Sequence, residues 1–310
     1  MRIAILSRNP KLFSTRRLVN AARERGHRVE VIDTLAVAVH IGRAGPQPDQ
    51  PHLLLDNITG AAGTTRLPEF DALIPRIGTS VTFYGLAVVR QFEAMGLATT
   101  ASSDAIARSR DKLQSLQLMA QSGLPIPRTA VIARPDALYA AVEAIGGLPV
   151  VVKLIHGTQG RGVLLAHQLS TIATLLQRVE ELNRQAIIQE FIAESRGRDM
   201  RLIVVGNRCV AAMERRASPG DFRANLHRGG TATALEPDRE TAALAVAAAR
   251  AHGLGVAGVD LLSSKRGPLL LEVNSSPGLE GIESATGVDV AGAIIDYVER
   301  TTTRKDRKPK

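Results

Sequence analysis

Near the C-terminal end of the chain, Glu272 and Asn274 stand two apart in the run Leu270-Leu-Glu272-Val-Asn274. In a β-strand their oxygens leave one face while Leu271 and Val273 turn into the core. Placing a turn at Lys265-Arg266-Gly267 sets Asp260, from Gly258-Val-Asp260, directly across from Glu272. Two carboxylates and a carboxamide on one patch, with no Cys or His beside them, suit Mg²⁺, which keeps waters and takes its other ligands from substrate phosphates. For any single acid, a solvated strand end is the plain alternative.

Lys153 lies inside the apolar strand Val150–Ile155, where a lysine is costly to bury unless an anion or polar group meets it. A nucleotide phosphate is one such anion; snorkelling at a strand edge is the other reading. Next comes the loop His156-Gly-Thr-Gln-Gly160-Arg-Gly162, whose glycines permit positive φ and close backbone approach, so its N–H groups could cradle a phosphate. It is not a Walker A loop, since the element after it reads as strand rather than helix. A flexible hairpin loop is the bland alternative.

Between these elements runs a cationic segment: Arg196, Arg198, Arg201, Arg208, Arg215, Arg216, Arg223, His227 and Arg228. Arginine in place of lysine favours a bidentate grip on carboxylate or phosphate. Asp199 with Arg201, and Glu214 with Arg216, share strand faces, so some of this charge is expected to pair. Cys209, the single cysteine, reads as a small buried hydrophobe; it excludes an internal disulfide and a multi-cysteine zinc site. His227 has no triad partners nearby.

The elements that must carry these residues follow from periodicity. Arg2–Leu6, a helix from an N-cap at Ser14 to Gly26, and Val29–Asp33 form a βαβ opening. Residues 42–68 read as a loop or small hairpin, after which α/β alternation resumes through a helix from Thr82 to Met95. An amphipathic helix capped by Asp111 carries Leu113, Leu116 and Met119 on one stripe. Strand-rich sequence then dominates, with an Ala-rich helix, Arg239–His252. The expected division is an α/β domain over 1–110, an α+β sandwich over 111–300 with sub-domains at about 111–186 and 187–300, and a basic flexible tail over 301–310.

Charge and composition narrow the function classes. The formal balance is +9, 45% of residues are hydrophobic and 22% charged, which fits a folded globular protein. Arg304–Lys310 carries five positive charges and one negative, so the folded part is only mildly basic. With no Trp and 3% aromatic residues, a stacking platform for single strands is missing, and nucleic acid is not the expected partner. No apolar run is long enough for a membrane span or a secretory leader, so the cytoplasm is the expected compartment.

Taken in order, Lys153, the loop Gly157–Gly162, Gln189-Glu-Phe-Ile192, Asp199-Met-Arg201, Asn225 and Asp260…Glu272-Val-Asn274 resemble the ATP-grasp ligase pattern. More narrowly, Pro75-Arg-Ile-Gly-Thr79, Thr82-Phe-Tyr-Gly85, Glu214-Arg-Arg-Ala217, Asn225-Leu-His-Arg-Gly-Gly230 and Asn274-Ser-Ser-Pro-Gly278 resemble RimK, the family that adds glutamate to the C-terminus of small-subunit ribosomal protein S-six.

The resemblance implies an ATP-grasp fold behind an N-terminal parallel-sheet domain. It implies that Lys112 and Lys153 contact ATP, that Glu190, Phe191 and Ile192 form the adenine hinge, that Asp199 binds ribose, and that Gln189, Arg201, Arg223, Ala224 and Asn225 help hold the nucleotide. Gly160, in the glycine loop expected to close as a lid, would also help bind the nucleotide, and Asp260, Glu272 and Asn274 would hold two Mg²⁺ or Mn²⁺. Arg215 would stabilise the tetrahedral intermediate, and Arg216, His227 and Arg228 would draw in an acidic acceptor tail. L-glutamate, a ribosomal protein acceptor and a homo-oligomer are the implied partners. Rival readings are a glutamate ligase for a small-molecule acceptor, a maker of glutamate polymers, and a non-catalytic basic protein associated with ribosomes or RNA.

Overall fold

The computed structural model describes residues 1–41, 52–56, 64–154, 162–181, 185–224 and 229–305. The N-terminal part comprises β1 (Arg2–Leu6), α1 (Phe13–Glu24), β2 (Arg28–Ile32), β3 (Val37–His40), β4 (His52–Asp56), β5 (Thr64–Arg66), β6 (Ala72–Pro75), α2 (Thr82–Ala94), β7 (Ala98–Thr99) and α3 (Ser103–Arg110). Its main sheet, in the order β2-β1-β6-β7, is parallel, as right-handed βαβ crossovers require. The segment read as a loop or hairpin contributes β4 and β5 to a small antiparallel sheet with β3. Ser14 does not cap α1, which starts one residue earlier; its hydroxyl instead accepts from the Leu279 N–H at 2.9 Å, a tertiary bond that local capping rules could not foresee.

A small lobe follows: α4 (Lys112–Gln121), β8 (Thr129–Ala130), α5 (Leu138–Ala144), β9 (Val150–Leu154), β10 (Val163–Ala166), α6 (Leu169–Glu181) and β11 (Ala186–Glu190). Its antiparallel sheet, β10-β9-β11-β8, has a core of its own in which Val150, Val152 and Ile188 face Leu138, Val142 and Ile172. Asp111 caps α4 as expected, accepting from the N–H groups of Leu113 and Gln114.

The remaining chain builds the larger sheet from β12 (Arg198–Val205), β13 (Arg208–Arg216), β14 (Thr231–Ala234), then α7 (Arg239–His252), β15 (Val256–Ser264) and β16 (Gly267–Asn274), ordered β14-β13-β12-β15-β16. It closes with α8 (Glu280–Thr286) and α9 (Val290–Lys305). Two cores weld this sheet to the N-terminal domain: one joins Leu6, Val88 and Phe92 to Leu202, Ala248 and Val259, the other joins Ile3, Ile5 and Leu18 to Ile203, Ile282 and Ile295. Ion pairs from Arg17 to Glu283 and from Arg25 to Asp296 reinforce the second.

The expected flexible tail begins as helix, because α9 runs to Lys305 and the hydroxyls of Thr301 and Thr302 bond back to carbonyls one turn earlier; residues 306–310 lie outside the described residues. Among the described residues no helix is long and apolar enough to cross a membrane.

Candidate active site

The cleft between the small lobe and the larger sheet holds a cavity of about 470 Å³. Lys112, Lys153, Gln189, Glu190, Phe191, Ile192, Asp199, Arg201, Arg215, Arg223, Ala224, Asp260, Glu272 and Asn274 all line it, gathered from α4, two strands of the small sheet, four strands of the larger one and the connections between them. Gly160, Asn225, His227 and Arg228 lie outside the described residues.

Along β12 the odd positions change character within one face: Asp199 and Arg201 stand at the cleft, while Ile203 and Val205 continue into the apolar core. Arg201, Asp260 and Glu272 form one cross-strand row, since Arg201 pairs in register with Asp260 and Asp260 with Glu272. The Asp260–Glu272 register arises differently from expectation. The turn has two residues, with Ser264 opposite Gly267, and a β-bulge between Asp260 and Leu261 makes Leu271 the extra residue and restores the pairing toward the site. Leu271 consequently faces the cavity instead of the core, and Leu270 is buried in its place.

The ion pairs also follow register. Arg201 grips Asp260 with two bonds, Nε to Oδ1 at 2.7 Å and Nη2 to Oδ2 at 2.6 Å. Arg215 grips Asp199 at 2.6 and 2.7 Å and reaches Asp260 Oδ2 at 3.0 Å. Asp199 and Arg201, expected to share charge along one strand, each pair across strands, because a directly opposed residue lies closer than one two positions along. Arg216 pairs with Glu214 as expected, but the alternation that turns Arg215 into the cavity turns Arg216 away: its side chain is 60% exposed and does not line the site.

Burial works against the Asp260 carboxylate, yet Arg201 and Arg215 outweigh it and hold its pKa below the ordinary value. Burial raises Asp199 to about 6 against the pull of Arg215, leaving it ionised at neutral pH. Burial opposes the charge on Arg215 too, but Asp260 and Asp199 hold it firmly protonated.

The opposite wall is different. Lys153 Nζ donates to Gln189 Oε1 at 2.6 Å and has no carboxylate ion pair among the described residues. Burial lowers its pKa to about 8, with Glu272 partly offsetting the fall. Lys112, whose Nζ donates to the Leu154 carbonyl at 3.1 Å, is lowered for the same reason. Gln189 is oriented in turn: its Nε2 donates to Thr129 Oγ1 at 2.9 Å, and that hydroxyl donates to the Pro127 carbonyl.

Sequence reasoning missed Thr129 and Arg266. Arg266 lies on the β15–β16 turn and pairs with Glu190, tying that turn to the end of β11. Neither carries a local signal. Ser115 was also missed; a serine among the apolar positions of α4 could have revealed it, since it lines the cavity and contacts His252 Nε2 at 2.8 Å.

Among the described residues no cluster of three or more His, Cys, Asp or Glu side chains stands ready for a metal. A cation here would draw on two carboxylates and a carboxamide. The oxygen donors fit: Glu272 is exposed to the cavity and Asn274 lines it, while the buried Nδ2 of Asn274, an N–H donor without a partner, would be satisfied by an acceptor such as a phosphate oxygen rather than by the cation.

Comparison with known proteins settles the family. A model of the RimK-like ATP-grasp domain matches residues 109–298, and one of the RimK PreATP-grasp domain matches residues 1–106. The chain belongs to the RimK-like ATP-grasp family. Within it, the chain is 50% identical over 305 residues to a probable alpha-L-glutamate ligase of Pseudoalteromonas translucida, covering 98% of this chain and 97% of that one. It is also 50% identical over 303 residues to a protein of the same description from Pseudomonas aeruginosa, covering 97% and 96%.

Among solved structures, a RimK domain protein from Sphaerobacter thermophilus superposes with a TM-score of 0.68 at 24% identity, over 96% of this chain and all of that one. The ATP-grasp ligase PsnB, complexed with a precursor variant, Mg and ADP, gives 0.71 at 22% identity, over 97% and 98%. At those identities the two structures share the fold. Membership makes the protein an ATP-grasp ligase of the carboxylate–amine type.

Proposed function

We propose that this enzyme joins L-glutamate to the terminal carboxylate of an acidic peptide tail, that of a small-subunit ribosomal protein, in the cytoplasm and at the expense of ATP. The name shared by relatives that match nearly the whole chain supports glutamate as the amino donor. The observation that carries the reading is the asymmetric cleft, where a lysine without a carboxylate counter-ion faces a row of acidic oxygens.

Lys153 and Lys112 meet the nucleotide phosphates, and the hinge Glu190–Ile192 meets the base. Asp260, Glu272 and Asn274 would hold two Mg²⁺, which when bound supply charge neutralisation for the transferring phosphoryl group. The acceptor carboxylate attacks the γ-phosphorus, the bond to ADP breaks, and an acyl phosphate forms. The glutamate amine then attacks the acyl carbon, phosphate leaves with the bonding pair, and the amine loses a proton. Arg215, aimed into the cavity yet fixed by Asp199, stays charged throughout and stabilises the oxyanion. Asp199, with both oxygens already held by Arg215, takes a positioning role in addition to any contact with ribose.

Mass spectrometry of acceptor peptides incubated with ATP, Mg²⁺ and glutamate tests the reading. The expected result is a mass gain of one or more glutamyl units, abolished by Asp260→Ala; ADP release without an adduct would overturn it.

A further inference from the structure

One cationic segment has no part in the site described so far. The stretch Pro75-Arg-Ile-Gly-Thr79 leaves the C-terminal end of β6, beside the end of β1. In the sheet order β2-β1-β6-β7 the chain passes from β1 to β2 on one side, while β6 and β7 extend the sheet on the other. The C-terminal ends of β1 and β6 therefore flank a topological switch point, the position where open α/β sheets leave a ligand-binding crevice.

Two guanidinium groups converge on this turn. Arg76 donates from Nη1 to the Pro277 carbonyl at 2.8 Å, and Arg110 donates to the carbonyls of Ile77 and Gly78. Neither has a carboxylate partner among the described residues. Burial lowers the pKa of Arg76 to about 10 with nothing to offset it, and lowers Arg110 likewise. Cations withdrawn from water without a counter-ion are costly, and an anionic ligand removes the cost.

The backbone adds donors. In a trans peptide the C=O and the following N–H point in opposite directions. With the Ile77 and Gly78 carbonyls turned to Arg110, the N–H groups of Gly78 and Thr79 point away from it. A Cβ built on Gly78 would meet nothing nearer than Ser80 Oγ at 4.0 Å, so there is open space beside the turn. The turn is also held firmly: a Cβ on Gly85 of α2 would stand 2.4 Å from Ile77, so the glycine of Thr82-Phe-Tyr-Gly85 lets the helix press against it.

The turn borders the reaction site. Thr79 lines the same cavity as Lys112 and Asn274, and the Pro277 carbonyl that holds Arg76 is three residues beyond Asn274. Ser276 Oγ adds a contact to the Pro75 carbonyl at 3.3 Å.

We infer that the Arg76–Thr79 turn binds a carboxylate of the incoming amino acid, the one that survives the reaction, and thereby aims its amine at the acyl phosphate. This rests on the ligase reading above. The acceptor carboxylate is consumed by phosphorylation and belongs beside the acidic row, whereas the amino acid keeps its carboxylates and needs a cationic anchor set back from the phosphates. Arg76 and the N–H groups of Gly78 and Thr79 supply one.

The test is steady-state ADP release by wild type and Arg76→Gln, varying each substrate in turn. The expected result is a rise of about 10- to 100-fold in KM for L-glutamate, the loss that follows removal of a charged hydrogen bond, with KM for ATP within about twofold. An unchanged KM for glutamate, or a rise in that of the acceptor peptide instead, overturns the assignment.

Should Arg76→Gln fail to fold, phenylglyoxal modification of the wild-type protein, mapped by peptide mass, decides: L-glutamate must protect Arg76, and protection by acceptor peptide alone refutes the proposal. The same mapping separates this inference from the reading beneath it. A wild type that ligates no glutamate, yet is protected at Arg76 by it, breaks the ligase reading and keeps the binding turn; ligation without protection does the reverse.

Discussion

The two walls of the cleft handle positive charge in opposite ways. On the larger sheet, Arg201 and Arg215 are matched by Asp260 and Asp199 in a closed set of two-pronged bonds. On the small lobe, Lys153 is met by a neutral amide, and burial brings its pKa to about 8. A compensated cation maintains geometry; an uncompensated one is held in readiness for an anion that arrives with the substrate.

The contrast fixes the sign of the mutational effects. Asp260→Ala removes the carboxylate on which the buried guanidinium of Arg215 and the half-buried one of Arg201 converge, and Asp260 itself is only 3% exposed. It should cost about 3–5 kcal/mol of stability, read as a lower urea midpoint, together with loss of turnover. Lys153→Met should act in the reverse sense on stability: the ligand-free protein melts no lower than wild type, while ADP affinity falls about tenfold or more. A melting point lowered as much as that of Asp260→Ala would erase the distinction between the walls.

The pH dependence sharpens it. In the ligand-free protein Lys153 loses its proton above a pH of about 8, and a bound polyanion raises its pKa. ADP affinity should therefore be flat below that pH and weaken by about tenfold per pH unit above it, a slope that calorimetric titration in Lys153→Met should not show.

A smaller effect is expected at Gly258, whose register partner is Asn274. A Cβ there would lie 2.8 Å from Pro277 Cβ, so Gly258→Ala should cost about 1–3 kcal/mol and displace the loop after Asn274, seen as a weaker response of the melting temperature to Mg²⁺ with ADP. The smallest belongs to Arg216, exposed and paired with Glu214. Arg216→Ala should shift stability by less than about 0.5 kcal/mol and leave ADP affinity unchanged; its acceptor role stands only if the KM of an acidic peptide rises.

Local pattern was enough to place strands, helices and the amide–carboxylate trio, because strand alternation and hydrophobic periodicity act over a few residues. Val150 and Val152 turn into the core while Lys153 turns to the cavity, and Asp111 caps its helix, as the sequence alone implies. Asp260 opposite Glu272 was legible too, although a shorter turn and a bulge cancel to produce it.

What the sequence by itself determined was which residue types share a strand face and which runs pair as neighbours. Tertiary structure alone decided the partners: that Arg215 serves Asp199 and Asp260 while Arg216 faces solvent, that Ser14 binds Leu279, and that Arg76 meets Pro277 instead of an acid. The reason is distance along the chain. Periodicity assigns a side chain to a face, but the groups that meet it there come from segments up to hundreds of residues away, and only the packing of sheets and lobes brings them within hydrogen-bonding reach.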